Sequence, residues 1–261
     1  MKVRKSDIWV VTFPKSGTTW TQEMVWQIIN KCDFEAGKQL LDIRFPHLEL
    51  KTLGQGTNTL EQLDEAVDPR FIKTHLPLSF LPSNLLETAK VIYVARDPRD
   101  VMTSYFHHHR LIKSLDYIGD LPTFARRFIK NQVRTGPYFQ HVEEAWTLKD
   151  NPNMLLLFYE EMKKDLKSVI RQVCDFLSCS LSEIEIEKLL DHLDIKNFRN
   201  NPAVNCEDQQ KSNAFSKDGS FIRKGKVGGW REEIRNLPDL EKELDKWHKK
   251  QLKDTGILFP Q

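Results

Sequence analysis

One stretch constrains the fold of this chain more than any other: Ile8-Trp9-Val10-Val11-Thr12-Phe13-Pro14-Lys15-Ser16-Gly17-Thr18-Thr19-Trp20. The apolar, β-branched run Ile8–Phe13 stops at a proline. A short loop with one lysine and one glycine leads into hydroxyl residues and then into a helical period. An unbroken apolar run of this length reads as a strand buried on both faces, as in parallel sheets. Thr18–Lys31 follows as a helix, with Trp20, Met24 and Ile28 on one line and Val25 and Ile29 beside it. Such a strand–loop–helix turn aims backbone N–H groups at one point, where the helix dipole also favours negative charge. Gly17 lets the backbone approach an anion closely. Ser16, Thr18 and Thr19 add hydroxyls, Lys15 a mobile cation and Trp20 a flat face for a base. The chain therefore opens on a candidate nucleotide-phosphate site.

That site lacks the common fingerprints. In the G-x-x-x-x-G-K-[ST] loop the lysine follows the glycine, whereas here Lys15 precedes Gly17, and no G-x-G-x-x-G run is present. Further strands are expected at Arg70–Thr74, Lys90–Ala95 and Met154–Phe158. Helices are expected from Pro98 to about His109 and over Leu121–Thr135, Pro137–Leu148, Asp165–Leu177, Ser182–Leu193 and Pro238–Leu252. Residues 45–69, with Pro46, Gly54, Gly56 and Pro69, read as loop with a short helix. Lys113–Asp120 reads as a mobile connection, and Asn200–Gly229 as a long polar loop of the kind that is functional or disordered. Strands alternating with helices predict an α/β fold, a mostly parallel sheet with helices on both faces. At 261 residues, one domain over 1–261 suffices.

With 39% hydrophobic and 29% charged residues and a net charge of +2, the chain is an ordinary globule without the concentrated basic face of a nucleic-acid binder. Cys32, Cys174, Cys179 and Cys206 form no CxxC pair and no metal spacing, which suits reduced thiols in the cytoplasm. No apolar run is long enough to cross a bilayer, so no membrane partner is expected. His107-His108-His109 is discounted as a metal site, because adjacent helical residues point in different directions. A solvated helix end favouring imidazolium accounts for it. Arg99 and Asp100 read as a surface ion pair.

Five segments in order along nearly the whole chain resemble the cytosolic sulfotransferases. Their 5′-phosphosulfate loop reads T-Y-P-K-S-G-T-T-W, and only Phe13 differs here. Arg70-Phe71-Ile72-Lys73-Thr74-His75-Leu76-Pro77 resembles the K-T-H-L-P segment at the end of a core strand. Ala95–Tyr105 resembles the strand–helix element in which an arginine and a serine eight residues later, here Arg96 and Ser104, hold a 3′-phosphate. A guanidinium forks onto phosphate as lysine cannot. Leu155–Met162 resembles L-Y-L-F-Y-E-D-M, which gives Tyr159 a nucleotide contact. The register then runs without a gap to the adenine-contacting T-S-F-x-x-M-x-x-N-P. Leu193 stands there for Thr, Asp194 for Ser, Ile195 for the stacking Phe and Phe198 for Met, so Phe198 is the aromatic surface that remains. Phe221-Ile222-Arg223-Lys224-Gly225 through Trp230 resembles F-x-R-K-G-x-x-G-D-W, with Gly229 in place of Asp.

The resemblance, to an invertebrate-like member with a short N-terminus, implies a three-layer architecture like that of P-loop nucleotide kinases. It implies transfer of the sulfuryl group of 3′-phosphoadenosine 5′-phosphosulfate (PAPS) to a hydroxyl or amine of a small apolar acceptor: a phenol, alcohol, sterol or amine. His75 is then the general base, for which imidazole suits neutral pH. Lys15 stabilises the leaving oxygen and Lys73 the sulfuryl oxygens. Arg96, Ser104, Arg223, Lys224 and the Gly225 amide hold the 3′-phosphate. Ser104 also restrains Lys15 until an acceptor arrives. No metal is implied. Phe106, Tyr117, Phe139 and Phe215 are aromatic candidates for the acceptor pocket, and core packing accounts for them equally well. Two departures accompany this. The family carries several tens of residues before the loop, so the pocket is expected to be open on one side. Its dimer motif K-T-V-E is absent after Trp230, which leaves a monomer or a dimer through an unidentified surface. The alternatives are a nucleotide-binding family member with little or no turnover, a P-loop phosphotransferase, against which the Lys-before-Gly order argues, and a scaffold, which leaves the convergent cations unexplained.

Overall fold

The computed structural model describes residues 1–49 and 59–260. Among them, β1 (Ile8–Thr12), β2 (Phe71–Thr74), β3 (Lys90–Ala95) and β4 (Met154–Phe158) form one parallel sheet in the order β2-β1-β3-β4. Val11 pairs with Thr74, Thr12 with Val94 and Ala95 with Phe158. The four carboxyl ends are therefore level, and the residues just beyond them emerge along one edge. The chain runs outward from β1 to β2 and then returns across β1 to β3. That reversal is where open α/β sheets leave a crevice for ligands.

The strands are buried on both faces because successive side chains alternate. Trp9, Val11 and Tyr93 face a core completed by the helices Pro98–Leu111, Leu121–Ile129, Tyr138–Thr147, Trp230–Ile234 and Pro238–Thr255. Ile8, Val10, Ile92 and Val94 face the helices Thr18–Ile29, Leu166–Phe176 and Glu183–Leu193. This is the expected three-layer arrangement. Helix starts follow local chemistry. Asp97 accepts the Arg99 N–H at 2.8 Å ahead of Pro98, and Ser182 and Glu185 form a capping box. The side chains of Arg70 and Asp7, both fully buried, meet through two hydrogen bonds of 2.7 Å. They tie the start of β1 to the start of β2 and so fix the loops at their far ends relative to each other.

Three expectations need correction. The helix from Leu121 ends at Ile129, not Thr135, because Asn131 adopts a left-handed backbone (φ 59°) and turns the chain out of the helix. Lys113–Asp120 is anchored at its start: Lys113 N–H donates to Ala214 O at 3.1 Å, and Ser216 N–H to Leu111 O at 2.8 Å. The long 200–229 segment gains order from the same pairing and from a short helix, Glu207–Lys211. Within 45–69, Thr59–Glu65 is helical, while Gly54 and Gly56 lie outside the described residues. Among the described residues, no helix is long and apolar enough to cross a membrane.

Candidate functional site

Gly17 precedes the Thr18–Ile29 helix with φ +106°, and a Cβ built there would lie 2.8 Å from Tyr159 Cδ2. The loop therefore requires glycine for both its torsion and its closeness to β4's end. Gly17→Ala is expected to lower stability by about 1–3 kcal/mol, the usual cost of such a backbone, read as a fall in denaturant midpoint; an unchanged midpoint would mean the loop has room to relax. Thr18 Oγ1 lies 2.7 Å from Thr12 Oγ1, which joins the helix start to the strand before it. Lys15 also has a positive φ (70°), and its ammonium sits 4.2 Å from the centre of the Phe221 ring. Burial pulls its pKa down to about 7, helped by repulsion from Lys73, Arg223 and Arg96.

His75 stands just past β2. Its Nδ1–H donates to Thr12 O at 2.8 Å, which leaves Nε2 with the lone pair. Its backbone N–H donates to Glu49 Oε1 at 2.6 Å, and its carbonyl accepts from His141 Nε2 at 3.1 Å. Burial, with Lys73 and His47 nearby, holds the imidazole well below its ordinary pKa, so it is neutral at neutral pH. Pro46–Leu48 runs beside β2: Lys73 N–H donates to Pro46 O at 2.9 Å, and Leu48 N–H to Lys73 O at 2.8 Å. That pairing sets His47 edge-on to His75, with ring centres 5.0 Å apart.

Arg96 leaves the end of β3 and links two loops. Nη1 donates to Lys15 O at 3.2 Å and Nη2 to Lys226 O at 2.9 Å, while the guanidinium lies 4.2 Å over the Tyr159 ring. Tyr159 in turn packs against Trp20 at 5.7 Å, and Trp20 Nε1–H donates to Leu193 O at 3.0 Å. The basic 221–230 loop is pinned by Asp100, which accepts from Gly228 N–H at 2.7 Å and Trp230 N–H at 3.0 Å. Gly225 (φ +61°) takes the loop past Ile195, whose Cδ1 would lie 2.9 Å from a Cβ built there. Arg223 Nη1 donates to Glu233 at 2.9 Å. Both Arg223 Nε and Arg96 Nε are enclosed without an acceptor.

These groups line one cleft of about 1610 Å³, beyond the roughly 300–1,000 Å³ of a pocket for one small ligand and enough for two. Lys15, Gly17, Thr18, Thr19, Trp20, Lys73, His75, Arg96, Ser104 and Tyr159 reach its wall, as do Leu193, Ile195, Phe198 and Phe221 through Gly225. Ser16 does not. It is buried beneath the loop with its Oγ unpartnered, so the hydroxyl expected of it is directed inward. Phe198 is only 4% exposed, packed into the core with Leu193, and offers the cleft little surface. Ser104 reaches the wall, but among the described residues no hydrogen bond joins it to Lys15.

At the acceptor end the structure separates the two readings of the aromatic residues. Phe106 and Phe139 are core residues, packed on Phe124 and Trp247, and Tyr117 packs on Phe106. Only Phe215 of the four lines the cleft, stacked on Phe221, alongside Tyr105, His108, Leu76 and Phe80. The histidine run is not a solvated end. His107 Nε2 meets Glu233 at 2.5 Å, His108 lies between Tyr105 and Phe221, and His109 bonds Tyr105 O at 2.9 Å. Among the described residues, no group of side chains is arranged to hold a metal. Arg99 and Asp100 do not pair: Arg99 binds Asp97 and Asp245, each at 2.7 Å. The sequence reading missed His47, Glu49 and Glu233. Only the proximity of Pro46–Glu49 to β2, and of Glu233 to Arg223, gives them a place at the site. Nothing in their local pattern marked them.

Residues 5–256 match the family model described as "Sulfotransferase domain". The chain is 40% identical to luciferin sulfotransferase of Photinus pyralis, over 98% of this chain and 74% of that protein. It is 32% identical to human sulfotransferase 1E1, over 99% of this chain and 87% of that one. Among solved structures, retinol dehydratase in complex with androsterone and inactive cofactor PAP superposes with a TM-score of 0.93 at 37% identity. That match spans all of this chain and 84% of the other.

Proposed function

The chain belongs to the sulfotransferase family, and from that premise we propose how its residues move a sulfuryl group from PAPS to a small acceptor. One observation carries the reading. Lys15, Lys73, Arg96 and Arg223, from four separate stretches of chain, line one cleft together with an imidazole whose free nitrogen is already fixed by Thr12. The adenosine end is assigned to the stretch of wall that Trp20, Tyr159 and Ile195 form. Two enclosed guanidinium N–H donors suit a phosphate. Solved relatives that contain PAP support the same donor. His75 Nε2 takes the proton of the acceptor hydroxyl as its oxygen attacks sulfur. The bond from sulfur to the bridging phosphate oxygen breaks, and Lys15 offsets the charge that develops there. Lys73 faces the sulfuryl oxygens. Positioning and fixed charge supply the catalysis, as in phosphoryl transfer.

The acceptor end, with Leu76, Phe80, Tyr105 and Phe215, suits a flat apolar molecule bearing one nucleophilic oxygen or nitrogen. Four free thiols are compatible with a cytoplasmic protein organised as one domain. Calorimetric titration with 3′-phosphoadenosine 5′-phosphate is expected to give one site per chain. Labelled PAPS is expected to transfer its sulfuryl group to at least one phenol, sterol, retinoid or amine. Binding without transfer to any acceptor class would leave a nucleotide-binding protein in its place.

A further inference from the structure

The carboxylate of Glu233 sits among the cations assigned above to the donor's 3′-phosphate. Its side chain is 13% exposed, at the cleft wall. Oε1 accepts from Arg223 Nη1 at 2.9 Å and lies 3.6 Å from Lys224 Nζ. Oε2 meets His107 Nε2 at 2.5 Å. One carboxylate therefore occupies three cationic or potentially cationic groups. Asp100, Ser104 and His107 lie along one face of the Pro98–Leu111 helix by their spacing. The first binds the 228–230 backbone, and the last binds Glu233. Glu233 thus closes the far end of the contact that Asp100 begins, and the 221–230 segment is held over the cleft from both ends.

From this arrangement we infer that Glu233 is a built-in counter-anion that the donor's 3′-phosphate must displace, so that it weakens nucleotide binding rather than aiding it. The inference rests on the donor site proposed above. Two anions cannot share Arg223 and Lys224 in a half-buried site without repulsion. Even against the effect of burial, the His107 and Arg223 hydrogen bonds hold Glu233 at a pKa of about 2, so it is charged whenever the nucleotide arrives. Phosphate entry must then turn the carboxylate away from Arg223. The loop backbone stays held meanwhile, by Arg199 at Arg223 O and by Asp100 at residues 228–230.

The test compares two nucleotides in calorimetric titrations of the whole chain: 3′-phosphoadenosine 5′-phosphate and adenosine 5′-monophosphate, which lacks the 3′-phosphate. Glu233→Gln is expected to tighten the first about tenfold, by removing a like charge set against the phosphate, and to leave the second within about twofold. Glu233→Asp keeps the charge but withdraws it from Arg223, and a smaller tightening in the same direction is expected. It serves where the glutamine variant does not fold. Weaker or unchanged binding of the 3′-phosphorylated nucleotide would make Glu233 a support for Arg223 and overturn the inference. Equal tightening of both nucleotides would overturn it as well. If the unmodified chain binds neither nucleotide, it is the donor site itself that fails.

Discussion

Replacing His75 by Ala is expected to lower kcat by about 10²–10⁴, the range of a general base, while binding of 3′-phosphoadenosine 5′-phosphate changes little. The asymmetry follows from where the ring sits. Its Nδ1–H is taken up by Thr12 O and its backbone N–H by Glu49, so only Nε2 is open to a proton. Burial, then Lys73 and His47, hold the imidazole's pKa well below 6.5. The sign of the pH effect is therefore fixed. His75 is in its proton-accepting form throughout neutral pH, and rate loss from its protonation begins only well below pH 6.5. A rate limb centred at the ordinary histidine value, or near-full turnover in His75→Ala, would take the base role away from it.

Lys15→Ala is expected to cost about 10²–10³ in kcat, as for the loss of one charge-stabilising donor, with a smaller effect on donor affinity. Its pKa, lowered by burial to about 7, predicts a further behaviour. In the free protein Lys15 loses its proton as pH rises through about 7, so kcat/KM for the donor should fall above that pH. An adjacent phosphate favours the ammonium, so kcat should stay level to higher pH. In Lys15→Arg, whose charge persists, the limb in kcat/KM should vanish. An unchanged limb in that variant would assign it to another group. A drop in affinity larger than the drop in turnover would make Lys15 a binding residue.

Much of the fold is legible in the order of residues. The strands Lys90–Ala95 and Met154–Phe158 were read with their observed bounds, because apolar runs between polar turns are a local signal. The helix expected over Ser182–Leu193 is observed over Glu183–Leu193, for the same reason. The helix from Leu121 was overrun because apolar period says nothing about the left-handed turn at Asn131. Pocket and core stay equally open for Phe106 and Phe139 in the sequence, because composition cannot tell a cleft wall from a core. They pack on Phe124 and Trp247, the latter more than a hundred residues from Phe139.

By its own order of residues the chain determined the strand–loop–helix turn at Gly17, the parallel sheet, and which cations and imidazole stand at strand ends. All of these follow from torsional preference and apolar pattern within a few residues of each other. Only the tertiary structure decided that Asp100 pins the 228–230 backbone, that Glu233 occupies Arg223, and that Lys15 titrates near neutrality. Charge and solvation depend on the neighbours a side chain acquires in space, and here those neighbours come from stretches as much as two hundred residues away.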